Sequence, residues 1–324
     1  MNSSASWSWT KSSAWRLLAS ALRIGAPLDD ALRAVEAECP DPILRPKFRE
    51  AFAHLQLRLG EPLPAAKFSP SLTEAEQELL FVGSVCGTLD RAFEAAARIH
   101  LLRERGLAPD GSSEAISGPD QARAMLFLLL EQGVSILKAL RFVQDEATAL
   151  TPAHRASLMT WSAKISEGQG ISSLCDPQLW GEGFARQIHR FETEGDLLAL
   201  RENLAIDLHA FSATEDESAM QPKAHASLNR RLDFYLRVAA NLESGEDLWN
   251  ALWQATEILG EDRLSLAWRN WLREVAKTPA RDLEIEAGLA TCRFMSEREK
   301  IFFAAGLRGG HLPDALRSLA SLGV

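Results

Sequence analysis

The feature that most constrains this chain is that one helical pattern occurs in it three times. The segments 17–35, 127–143 and 236–255 come into register when Gly25, Gly133 and Gly245 are aligned, at spacings of 108 and 112 residues. Leu18, Leu126 and Val238 then share a column, as do Leu22, Leu130 and Leu242, and Leu28, Ile136 and Leu248. Steps of three and four residues between columns are helical, so each segment reads as two apolar helix faces interrupted at glycine. Pro27, Ser135 and Asp247 stand two residues beyond each glycine and are residues that start helices. A helix, a left-handed glycine stop and a helix turning straight back make an αα-hairpin.

Composition supports helices over strands. Val, Ile and Thr together number 31 of 324 residues, so a sheet would lack the residues it favours. With 46% hydrophobic and 24% charged residues, the chain has the material for two or three packed domains. The expected class is all-α, as three tandem helical bundles of about six helices each.

The recurrence extends downstream. Gly60 and Gly168 each lie 35 residues past their anchors, and Phe48 and Phe52 correspond to Trp268 and Leu272. A second glycine signature closes each segment, in FVGSVCGTLDRAF (81–93), RFETEGDLLAL (190–200) and AAGLRGGHLPDAL (304–316). Gly83 and Gly87 in the first match Gly306 and Gly310 in the third; the second keeps Gly195 but has Phe191 at the earlier position. The expected organisation is a polar tail (1–13), a first bundle (14–105), a linker (106–121), a divergent second bundle (122–210), a linker (211–230) and a third bundle (231–324).

The run L-L-x-x-x-L-x-x-G-x-P-L-x-x-A-L (17–32), followed by G-x-x-L from Gly60 and G-x-x-x-G-x-L-x-x-A from Gly83 to Ala92, resembles the cytoplasmic domain of the GspF/PilC family. These are inner-membrane platform proteins of type II secretion systems and type IV pili. The resemblance implies a compact helical bundle and a docking role toward an assembly ATPase and other inner-membrane components. It implies a cytoplasmic protein recruited to that membrane through partners. Family members usually carry two such domains separated by membrane helices, whereas here the pattern occurs three times with polar linkers between. The family's late signature commonly holds a glutamate; the matching positions here are Ser84, Glu192 and Leu307. A single carboxylate does not make a hard-cation site, which takes six or more oxygens.

Other classes lack their signals. The net charge of −9, without a basic run, offers no footprint for nucleic acid. The longest candidate apolar run, Ala124 to Leu130, ends at Glu131 and is far short of the roughly 20 residues a spanning helix needs. There is no phosphate-loop motif and no H-E-x-x-H, and GLRGGHL (306–312) is the third copy of a helical turn signature. Cys39, Cys86, Cys175 and Cys292 lie too far apart for C-x-x-C chemistry and read as reduced thiols. Trp249, Trp253, Trp268 and Trp271 read as a buried stripe, with a docking patch as the alternative. Trp7 and Trp9 read as packing on the first helix. The acidic groups Glu215, Asp216 and Glu217, and Asp282, Glu284 and Glu286, read as solvated.

The function expected is therefore non-enzymatic: a scaffold without cofactor or metal that binds protein partners. Its contacts are expected in the first bundle, on the face around Arg45, Arg49 and Glu50. The alternative is an enzyme or ligand-binding protein with a pocket between bundles.

Overall fold

The computed structural model describes residues 11–39, 45, 72–106, 116–202, 222–257, 263–276, 285, 288–289 and 292–322. Among them are fourteen α-helices, one 3₁₀ helix and no strand. In chain order the α-helices begin with α1 (Lys11–Arg23), α2 (Leu28–Glu38), α3 (Glu74–Cys86), α4 (Leu89–Gly106), α5 (Gly118–Glu131), α6 (Ile136–Glu146) and α7 (Pro152–Ser166). They continue with α8 (Pro177–Trp180), α9 (Glu182–Glu194), α10 (Pro222–Glu243), α11 (Leu248–Ala255), α12 (Arg263–Val275), α13 (Glu297–Gly309) and α14 (Leu312–Ser321). The 3₁₀ helix, Leu197–Arg201, follows α9.

The hairpin glycines adopt the conformation their spacing requires. Gly25, Gly133 and Gly245 have φ of 81°, 83° and 90°, and Gly87, Gly195 and Gly310 each have 69°. At Gly87 the stop is a Schellman turn, with Thr88 N donating to the Gly83 carbonyl at 2.8 Å. His311 N donates to Gly306 O at 3.0 Å in the matching turn. Gly83 and Gly306 serve another purpose, which is close helix approach. A Cβ on Gly83 would lie 2.6 Å from the Ala92 Cβ, and one on Gly306 would lie 2.8 Å from the Ala315 Cβ.

Contacts divide the chain into two compact units: Met1–Trp9, Arg16–Arg49 and Ser212–Val324 form one, and Thr10–Trp15 with Glu50–Phe211 the other. The first sequence segment is thus shared between them. In the first unit α2 packs on α13, and α14 on both α10 and α13. Its core holds Trp268, within 4.8 Å of Phe234 and 5.1 Å of Phe294, ring centre to ring centre. In the second unit α3 and α4 pair, α4 packs on α5, α3 on α6, and the 3₁₀ helix on α5 and α9.

Two buried glutamates tie helix starts into these cores. Glu76 accepts from the Thr73 backbone N–H at 2.7 Å, closing a capping box, while its other oxygen lies 2.7 Å from His100 Nε2 on α4. Glu299 closes the matching box with Ser296 at 2.6 Å and also accepts from the Tyr235 hydroxyl and from Arg231. The second segment has Phe184 at the position aligned with Glu76, and that ring stacks on Trp180 at 5.0 Å and on Trp161 at 6.2 Å. An aromatic cluster replaces the buried carboxylate there.

The tryptophan stripe is only partly core. Trp268 is buried, Trp249 and Trp271 are half-buried, and Trp253 is 36% exposed beneath the Arg273 guanidinium, which lies 6.0 Å from the ring centre. Cys39, Cys86, Cys175 and Cys292 form no disulfide among the described residues. Trp7 and Trp9, Phe48, Phe52 and Gly60, and both acidic groups lie outside the described residues.

Close approach and left-handed φ make different demands on side-chain volume. Gly83→Val is expected to destabilise by about 2–3 kcal/mol through overpacking against Ala92. Gly25→Ala, with open space around the new Cβ, is expected to cost only about 1 kcal/mol of backbone strain. Urea unfolding followed by circular dichroism ranks the two, and an equal cost would contradict the packing role of Gly83.

Candidate docking surfaces

The structure brings the two glycine signatures together, and it does so between different sequence segments. Each segment opens with a helical hairpin (α1–α2, α5–α6, α10–α11) and ends with another (α3–α4, α9 with the 3₁₀ helix, α13–α14). In the second unit the opening hairpin α5–α6 is covered by the closing hairpin α3–α4 of the preceding segment. A Cβ on Gly133 would lie 3.3 Å from Val82 on α3. Glu78 on α3 makes an ion pair of 3.3 Å with Lys138 and accepts from the Ser135 hydroxyl at 3.3 Å. In the first unit the opening helix α2 lies on α13, with Arg308 3.9 Å from Asp30. Lys138 and Asp30 occupy aligned positions, so the same opening surface is used twice, with opposite charge.

Helix ends reinforce both contacts. The last carbonyls of an α-helix have no partner within it. Gln121, buried on α5, donates to the Leu102 carbonyl at 2.6 Å in the last turn of α4, and Thr148 donates to Arg103 O at 2.9 Å. Gln121 Oε1 in turn accepts from Ala149 N at 2.8 Å. At the end of α14, Arg16 on α1 donates to the Ser321 carbonyl at 2.9 Å.

Of the residues expected to contact partners, Arg45 is exposed and donates to the Cys39 carbonyl at 2.8 Å, just beyond the end of α2. Arg49 and Glu50 lie outside the described residues.

Within the second unit a cleft of about 520 Å³ opens where the N-termini of α5 and α9 converge, lined by Asp120, Arg123, Trp180, Arg186, Arg190 and Glu202 among others. Its lining comes from residues 117–202 and not from a junction of bundles. Arg123 is buried, donating to Asp120 at 2.9 Å and to the Gln187 side-chain oxygen. Burial lowers its pKa in spite of Asp120. Gln187 donates onward to the Glu202 carbonyl at 2.6 Å. Arg190 pairs with Glu202 at 2.6 Å and with Asp196 and Glu194, and the Glu202 hydrogen bond leads in raising its pKa. The cleft thus holds the guanidinium groups of Arg123 and Arg190 beside carboxylates, an arrangement suited to binding polar groups. Elsewhere, burial pushes the Cys175 thiol up to about 12 and the Cys292 thiol to about 11, away from the nucleophilic thiolate.

Glu192, the carboxylate of the late signature, is used locally. It accepts from the backbone N–H of Ile171 at 2.6 Å and of Ser172 at 3.0 Å, and from the Ser172 hydroxyl, bracing the loop after α7. A Cβ on Gly170 would collide with it at 2.5 Å. Burial opposes its ionisation, but the bonds from Ser172 and Ile171, with His189 nearby, outweigh that and hold the carboxyl below its ordinary range. No group of three or more metal-ligating side chains occurs among the described residues.

Residues 14–106 match the family of type II secretion system (T2SS) protein F. This segment contains both glycine signatures of α1 to α4. No curated protein and no solved structure matches the chain. Among the described residues no helix is long and apolar enough to cross a membrane.

The depressed pKa of Glu192 sets the sign of its effect. Its contribution to stability is present above the unfolded value of 4.5 and is lost as pH falls through the lower folded value. Because the group is largely solvated, Glu192→Gln should cost less than about 1 kcal/mol at pH 7, and the difference from wild type should shrink as pH falls below 4.5. Paired melts across that range test this, and a difference that grows toward acid would contradict it.

Proposed function

We propose that this chain is a non-enzymatic docking component of a type II secretion or type IV pilus machine, built from three tandem copies of the protein F helical domain. The observation that carries the reading is the protein F match over residues 14–106. Support for the further copies comes from the left-handed glycines at 25, 133 and 245 and from the paired Schellman turns at Gly87 and Gly310. The partners are proteins, with an assembly ATPase and inner-membrane platform components first among them. The place of action is the cytoplasmic face of the inner membrane, reached through those partners. Its use of matching helical surfaces as contacts supports binding over turnover.

The test is a pull-down of the assembly ATPase and the platform protein from the same cell with the full chain as bait. Reversing the charges of Arg45, Arg49 and Glu50 together is expected to reduce capture at least about tenfold, the scale for removing charged interface contacts, with the melting temperature within a few degrees. Failure of the wild-type chain to capture either partner would overturn the docking reading, and undiminished capture by the variant would move the contact away from this face.

A further inference from the structure

Opening hairpins are covered by closing hairpins in both units, yet one opening surface and one closing surface remain uncovered among the described residues. On α5 Gln121 donates to the last turn of α4, and Ala124, Met125 and Leu128 follow it at helical spacing on the same face, all buried. The aligned positions on α10 are Asp233, Leu236, Arg237 and Ala240, and all four are exposed, Leu236 by 45%. A helix face that is buried in one copy of a pattern and open in another, with a large aliphatic side chain in water, marks an interface.

The electrostatics identify the occupant. Glu78, which meets Ser135 and Lys138 in the covered contact, aligns with Arg186 on α9, which is exposed. Ser135 aligns with Asp247, exposed at the start of α11, whose preceding turn also carries Glu243 and Glu246. The aligned position on α9 is therefore basic where α3 is acidic, and the turn it would meet carries Glu246 and Asp247 where the α5–α6 turn carries Val134 and Ser135. We infer that copies of this chain associate head to tail, with the α10–α11 hairpin of one copy seated on α9 of a second copy and Arg186 facing Asp247. Such a contact is heterologous: it closes into a ring or extends as a filament, depending on the rotation it imposes. This inference rests on the alignment of the three segments and not on the docking role, which the pull-down tests separately.

The experiment is sedimentation velocity on the full chain from about 1 to 100 µM, a range that spans typical transient protein contacts. Concentration-dependent association that weakens with salt is expected. Arg186→Glu and Asp247→Arg should each weaken it about tenfold or more, and the double variant should return to within about threefold of wild type. Leu236→Asp should abolish it irrespective of salt, and mixing Leu236→Asp with Arg186→Glu should yield heterodimers, since each retains the surface the other lacks. A wild-type chain that stays monomeric at the highest concentration overturns the inference. So does association unaffected by both charge reversals, or a double variant weaker than either single one.

Discussion

The structure depends on a helix that has no solvent side. Gly118 and all nine residues from Gln121 to Leu129 are buried, with Arg123 the one charged group among them. A single amphipathic neighbour covers one stripe of such a helix and leaves the rest in water. Burying one large aliphatic side chain is worth about 1.5–3 kcal/mol, so an uncovered face of Met125, Leu128 and Leu129 would outweigh much of the marginal stability of a domain. The partner for that face is α4, from the preceding sequence segment, and the exchange of neighbours between segments follows from it. The polar groups obey the same demand: Gln121 is buried only because it finds Leu102, Thr148 and Ala149.

Much of the helical architecture was legible in the sequence, because a glycine stop and an apolar period are local signals. The conformations of Gly25, Gly133 and Gly245 follow from the residues beside them, as does the close packing at Gly83 and Gly306. Which hairpin lies on which was not legible. Linkers and glycine spacing mark where a pattern begins and ends along the chain, whereas contacts are chosen by the face left uncovered. Trp253 illustrates the limit. Its helical spacing from Trp249 suits a core stripe, yet it lies on the outer side of α11. The charges of the cleft were missed for a related reason: Arg123, Arg186 and Arg190 are unremarkable as single basic residues, and only the column shared by Glu78 and Arg186 gives one of them meaning.

Divergence in the second segment is coordinated. Losing a carboxylate at the position of Glu76 removes a buried charge together with the need for a partner such as His100. Phe184 fills the space and builds an aromatic cluster with Trp161 and Trp180, whose indole still reaches Ser157 at 3.0 Å. Phe191, in place of the close-approach glycine, belongs to the one closing hairpin whose second helix is 3₁₀ rather than α. A Cβ on Gly83 would lie 2.6 Å from the Ala92 Cβ, so a phenyl side chain at that position forbids the close approach that Gly83 permits.

Charge then distinguishes surfaces that shape alone would leave interchangeable. Three opening hairpins and three closing hairpins built on one pattern could pair in several ways, and apolar burial favours all of them about equally. In the pairs that form, the aligned opening positions Lys138 and Asp30 carry opposite signs and each meets its counter-charge: Glu78 with Lys138 in one unit and Arg308 with Asp30 in the other. Exchanging partners would set Glu78 against Asp30 and Arg308 against Lys138, like charges at ion-pair range. Each exposed pair contributes less than about 1 kcal/mol to stability, but the penalty for the wrong pairing adds to the gain from the right one. Ion pairs too weak to hold the helices together are thus sufficient to decide which helices meet.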